Sequence, residues 1–183
     1  MACVKDGAIV VRVSADLHLV VGSTGSGKST FARTLAQRIG GVCFIVDEWM
    51  RRLYHPERPN DAGYNWYAPR IERCTELIWQ IAADLVRVGT PSVLEIGLTQ
   101  RAARAAFYER ARTAQLRVQL HVLEAPAEVR WQRVEARNRE RGATFSLEVT
   151  REMFDFVEQM WEPVDAQELR AHDGERVDAA KLD

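Results

Sequence analysis

The chain has 183 residues, 46% of them hydrophobic, and a formal net charge of −1. That length fits a single domain, 1–183, with an adequate core, and the near-neutral balance excludes a global field that would recruit nucleic acid or an anionic membrane. Cys3, Cys43 and Cys74 show no CxxC spacing, which suits buried thiols in a reducing compartment better than a disulfide frame or a zinc site.

Ala8–Val13 is β-branched and extended, and it can pair with Leu17–Val21 as a hairpin at a sheet edge. The apolar run Leu17–Val21 leads directly into Gly22-Ser23-Thr24-Gly25-Ser26-Gly27-Lys28-Ser29. These eight residues fit G-x-x-x-x-G-K-[ST], the phosphate-binding loop. Phe31 to Ile39 then has helical spacing and is closed by Gly40-Gly41. Strand, loop and helix in that order are the context the motif requires.

Val42–Val46 is fully apolar, as in a buried parallel strand, and Asp47-Glu48 stands at its end. Residues 51–65 carry Pro56, Pro59 and Gly63 without a period, so a loop or broken helix is expected. Ile71, Cys74, Leu77, Ile78, Ile81, Leu85 and Val88 recur at helical spacing, stopped by Gly89 and Pro91. Ser92–Ile96 reads as a third core strand, and Thr99 as the N-cap of a helix to about Gln115. Arg117–Leu123 reads as a fourth strand. Pro126 opens an Arg-rich helix to about Arg141, ended by Gly142. A further helix is expected from Leu147 to Trp161, then a weakly patterned tail with a short strand near Leu169 and a frayed end. Strands alternating with helices predict an α/β fold: a mostly parallel sheet with helices on both faces.

The residue types carry chemistry. Glycines bring backbone N–H groups against phosphate oxygens, and the following helix aims its N-terminus at the same anion. Gly22, Ser23, Thr24, Gly25, Ser26, Gly27, Lys28, Ser29 and Thr30 are therefore expected to bind the nucleotide, with Lys28 on the phosphates and Ser29 on Mg²⁺. Asp47 can accept the proton of an attacking hydroxyl, or can simply be an acidic residue starting the next helix. Glu95 can hold a metal-bound water or make a structural polar contact. Arg130, Arg133, Arg137 and Arg141 fall within an arc of roughly 80° on one helix stripe. Either an anion sits against them or they are solvated surface; Arg133 and Arg137 are the preferred pair.

No Asn-Lys-x-Asp or Asp-x-x-Gly string of the guanine-nucleotide switches occurs. The acceptor pocket is expected from Trp49, Arg51, Arg52, Tyr54 and the Arg58–Tyr67 loop, with Tyr64 and Trp66 as stacking platforms or core. His18, His55 and His121 lack metal-ligand spacing. Phe154, Phe156, Val157, Met160 and Trp161 read as helix packing rather than base contacts.

The Gly22–Ser29 loop, Val46-Asp47-Glu48 and the Arg-rich helix after Leu123-Glu124-Ala125-Pro126 together resemble the small P-loop kinases. Within them the sequence is most similar to the group holding zeta-toxin-like kinases, chloramphenicol phosphotransferase and polynucleotide 5′-kinases. The resemblance spans about Leu17 to Trp161. It implies a three-layer P-loop NTPase fold with a lid over about 126–146, and ATP and Mg²⁺ as cofactors. It further implies Asp47 as general base and Lys28, Arg133 and Arg137 on the triphosphate. ATP-dependent transfer to the hydroxyl of a small molecule is the expected function. The alternatives are a nucleotide switch or slow ATPase acting on a protein partner, and a nucleic-acid 5′-OH kinase. Polynucleotide kinases carry Arg three residues after the Asp, where this sequence has Met50, so nucleic-acid ends are not expected as substrate. The N-terminal stretch lacks a signal-peptide apolar segment, so a cytoplasmic location without a membrane anchor is expected.

Overall fold

The computed structural model describes residues 3–5, 8–10, 16–142, 145 and 148–179. Five strands form one parallel sheet: β3 (Leu17–Val21), β4 (Val42–Ile45), β5 (Ser92–Glu95), β6 (Val118–Glu124) and β7 (Glu175–Asp178), in the order β4-β5-β3-β6-β7. β1 (Cys3–Lys5) and β2 (Ala8–Val10) make a separate antiparallel ribbon. The expected hairpin between residues 8–13 and β3 is therefore not formed; residues 11–13 of that expectation lie outside the described residues. The reason is that β3 is central. Its two edges are taken by β5, with Leu17 opposite Ser92, and by β6, with Leu17 opposite Val118.

Burial on both faces explains why Leu17–Val21 is almost continuously apolar. On one face Val20, Val93 and Leu123 pack under Ala32, Leu35 and Ala36 of α1 (Lys28–Ile39). On the other, Leu17, Leu19, Val21 and Leu120 meet three helices: α2 (Val46–Leu53), α3 (Tyr64–Arg87) and α4 (Arg101–Thr113). The sheet with helices on both faces matches the architecture expected from the sequence.

Several boundaries move for local reasons. Val46 opens α2 instead of ending β4, which places Asp47 and Glu48 in a helical first turn. The segment 51–65 resolves into the end of α2, a 3-10 turn at His55–Glu57 and the start of α3, which accommodates Pro69 in its early turns. Gln100, not Thr99, is the N-cap of α4, and Glu162 accepts a hydrogen bond from the Arg101 N–H at 2.6 Å. Arg141, with φ 48°, is the left-handed cap of α5 (Ala127–Glu140), immediately before Gly142.

The helix expected from Leu147 is α6 (Arg151–Met160), capped by the Thr150 hydroxyl; Leu147 itself lies outside the described residues. Leu169 is not in a strand. It lies in α7 (Ala166–Ala171), which forms because the Asp165 carboxylate accepts from the Gln167 and Glu168 N–H groups. The strand of the tail is β7, at the sheet edge beyond β6. Among the described residues no helix is long and apolar enough to cross a membrane.

Candidate functional site

The loop after β3 is built around two approaches too close for a side chain. A Cβ on Gly22 (φ 151°) would lie 2.5 Å from the Leu123 carbonyl oxygen, and one on Gly25 (φ 79°) would lie 2.4 Å from that of Arg130. Only glycine permits both the backbone angle and the contact. Gly27 then serves as the N-cap of α1 in the left-handed region, and no acidic residue follows in the first turn to compete for an anion. Lys28 is half-buried and donates to the Ser23 carbonyl at 3.0 Å. Burial pulls its pKa down, opposed by Glu95 and then Asp47. The Ser26 hydroxyl is buried without a partner among the described residues. A cradle of backbone amides, a half-buried lysine and an unspent hydroxyl fit a phosphate chain.

The Ser29 hydroxyl stands 3.4 Å from Glu95 Oε2, at the C-terminal end of β5. Burial pushes the Glu95 carboxyl up to about 7, while Lys28 pulls it back and Asp47 adds to the rise. Hydroxyl and carboxylate are the hard oxygen ligands a magnesium ion takes. The described residues contain no group of three metal-ligating side chains, so these two would hold such an ion together with phosphate oxygens and water, the usual arrangement for Mg²⁺.

One cavity of about 700 Å³ joins these groups. Thr24, Gly25, Gly27, Lys28, Ser29 and Thr30 form its floor, with Asp47, Glu95, Arg133 and Arg137 around it. Asp47 enters because α2 starts where β4 ends, at the sheet edge where open α/β folds place ligands. Glu48, its neighbour, is instead ion-paired to Arg33 of α1. Arg137 is half-buried, its Nε has no partner among the described residues, and desolvation lowers its pKa against the pull of Asp47 and Glu95. The Arg133 guanidinium donates to the Ala179 carbonyl at 2.9 Å.

Arg130 departs from the stripe. Its side chain is 6% exposed, forms a two-pronged ion pair with Glu158 of α6 (2.7 and 2.9 Å), and donates to the carbonyls of Ala125 and Thr24. It braces the phosphate loop from behind and does not line the cavity, contrary to the expected nucleotide contact. Arg141 lies near Glu148 at 3.5 Å, outside the cavity as well.

The far end of the cavity is lined by Met50, His55, Tyr67 and Ile71. Of the expected acceptor residues, Tyr67 is there. Trp49 packs on Phe44, Trp66 packs edge-on against Tyr67, Arg51 and Arg52 are exposed, and Tyr64 is 81% exposed. The opposite end is walled by Phe31, Thr34, Val134, Val149, Met153, Val157 and Ala179. Val157 thus faces the cavity, where sequence periodicity assigned it to packing, whereas Phe154 is buried against Trp131.

His18 and His121 share a hydrogen bond of 3.0 Å beneath α1, and His121 reaches Glu175 at 2.7 Å. They sit in the packed layer, not in the cavity. A signal was present: both fall on the α1-facing side of adjacent strands, with His121 opposite Val20.

A putative kinase from Chloroflexus aurantiacus superposes with a TM-score of 0.70 at 12% identity, covering 93% of this chain and 92% of its own. Kti12 from Chaetomium thermophilum, in complex with ADP-AlF3, gives 0.65 at 15% identity, covering 88% of each chain. A sugar kinase from Janibacter sp. gives 0.58 at 17% identity, covering 91% and 87%. Curated protein sequences give no match. Kinases recur among these neighbours, and the fold is that of the P-loop kinases. A family model for the AAA domain matches residues 17–160, and the chain belongs to that AAA domain family.

Proposed function

We propose that the protein is an ATP- and Mg²⁺-dependent phosphotransferase that moves the γ-phosphoryl group to a hydroxyl of a small molecule. Within the P-loop kinases we place it with the zeta-toxin-like and chloramphenicol phosphotransferase group. The observation that carries the reading is Asp47 in one cavity with Lys28, Arg137 and Glu95, beyond the loop that would hold the phosphates. Small-molecule kinases among the neighbours, including a gluconokinase from Sinorhizobium meliloti with a TM-score of 0.55 at 18% identity, support it.

The chemistry follows from position. The acceptor oxygen forms a bond to the γ-phosphorus, its proton passes to an Asp47 carboxylate oxygen, and the bond to the β,γ-bridging oxygen breaks with its electron pair leaving on ADP. Loop amides and Lys28 hold the phosphates, while Arg133 and Arg137 stabilise the charge on the transferring group. A bound Mg²⁺ supplies further charge neutralisation, held through Ser29 and Glu95. Asp47→Asn should preserve nucleotide affinity while acceptor-dependent turnover falls by roughly 10²–10⁴-fold. An equally active Asn variant would remove Asp47 as base.

A second reading is hydrolysis that drives a switch on a protein partner. The likeness to Kti12 supports it, as does Glu95, a buried carboxyl in the same cavity able to orient water. It predicts ATP turnover indifferent to every alcohol offered.

A further inference from the structure

The two ends of the cavity differ in charge. Around the loop the wall carries Lys28, Arg133 and Arg137; beyond Asp47 it carries Met50, His55, Tyr67 and Ile71 and no cationic lysine or arginine. That end is shaped by fixed groups. Met50 is 3% exposed and its sulfur takes the Cys74 thiol at 3.9 Å. The Tyr67 ring is wedged edge-on by Trp66 at 4.9 Å and His55 at 6.3 Å, and its hydroxyl accepts from Arg58 at 3.2 Å.

The nearby arginines stand outside the wall itself, and Arg58 reaches it only through the Tyr67 hydroxyl. Arg51, Arg52 and Arg58 are exposed. Arg70 lies 4.2 Å over the Trp66 ring and donates to the Trp66 carbonyl. None of them forms the wall. An anionic group on an acceptor seated here would lose its hydration against a thioether, an aliphatic chain and a phenol ring, with the Asp47 carboxylate in the same wall and the positive charges near His55, those of Arg58 and Arg51, exposed and screened by solvent. An apolar or ring-shaped body would meet surfaces that match it.

Building on Asp47-dependent transfer, we propose that the acceptor is an uncharged alcohol with an apolar or ring-shaped body. Met50, Tyr67 and Ile71 receive that body, and His55 is the positioning residue that hydrogen-bonds the acceptor beside Asp47. Neutral sugars without an apolar face fit less well than aromatic or alicyclic alcohols, and acids and phosphate esters are rejected.

The test uses the full chain with Mg²⁺ and ATP against matched acceptor pairs, phenylethanediol with mandelate and glucitol with gluconate, phosphorylated product being followed by phosphorus NMR. The neutral member of each pair should exceed its acid by about tenfold or more in kcat/KM, with phenylethanediol ahead of glucitol. Ile71→Arg, at a position 38% exposed and therefore tolerant of the change, should narrow or reverse the preference. His55→Phe should raise the acceptor KM about tenfold with the ATP KM unmoved, and His55→Asn should recover part of the loss. Preference for the acids, or turnover of no neutral alcohol, overturns the inference. If the acids are turned over in an Asp47-dependent way, the phosphotransferase reading stands; ATP hydrolysis indifferent to Asp47 and to every acceptor removes both.

Discussion

Removing the Glu158 carboxylate should loosen the molecule at the back of the phosphate loop. The Arg130 side chain is 6% exposed and Glu158 39% exposed, joined by bonds of 2.7 and 2.9 Å. In Glu158→Ala the guanidinium keeps the Ala125 carbonyl at 2.9 Å and the Thr24 carbonyl at 3.2 Å but loses its counter-charge. Breaking a fully buried pair costs roughly 3–5 kcal/mol, and the half-open glutamate side lets water repay part of that, leaving a loss of about 2–3 kcal/mol. For a chain of this size the melting temperature should fall by about 5–10 °C.

The assay is thermal unfolding with and without Mg²⁺ and an ATP analogue, beside a nucleotide titration. Because the lost contact is behind the loop, affinity should drop less than tenfold at a temperature where the variant is folded. An unchanged melting temperature with collapsed nucleotide affinity would refute the reasoning and return Arg130 to the triphosphate.

Two further outcomes follow from the same geometry. Gly25→Ala must place a methyl group 2.4 Å from the Arg130 carbonyl, whereas Gly27→Ala meets nothing within 4 Å; both pay for a left-handed backbone, about 1–2 kcal/mol, but only the first should also lose nucleotide affinity tenfold or more, and equal losses in calorimetry and titration would contradict the packing described. His18 is held down to about 4 and His121 below the usual imidazole range, each first by burial. Their folded pKa values lie under the unfolded value, so the unfolded chain takes up protons first; stability is full above about pH 6.5 and falls as the pH drops toward 4. By pH 5.5 this costs about 1.4 kcal/mol for His18, read as a urea midpoint that falls more steeply in the wild type than in His18→Gln, and parallel slopes would count against it.

The phosphate loop was legible because its chemistry needs consecutive residues, and Asp47 because it sits where an apolar run stops. The cavity wall opposite Met50 and Tyr67 was not. Phe31, Val134, Val149, Met153 and Ala179 come from separate segments, and nothing in one segment announces the others. β7 escaped for a different reason: as an edge strand it reads Glu-Arg-Val-Asp, with three of four residues exposed, and carries no apolar run. Met50 was read only as the residue three after Asp47, and Ile71 only through the periodicity of its helix, yet both line the cavity.

The arginine stripe shows where periodicity ends as a guide. A helical wheel gives direction around an axis but not distance along it, and Arg130 and Arg141 are separated by about 16 Å of helix rise. A single triphosphate cannot satisfy both ends. The structure divides the stripe accordingly: Arg130 at the base locks onto Glu158 and the loop carbonyl of Thr24, Arg133 and Arg137 in the middle enter the cavity, and Arg141 at the tip lies outside it. The clamp at the base matters to the two in the middle. Gly25 and Arg130 touch backbone to side chain and backbone, so whatever fixes the loop also fixes the origin of α5, and with it the depth at which Arg133 and Arg137 meet the phosphates.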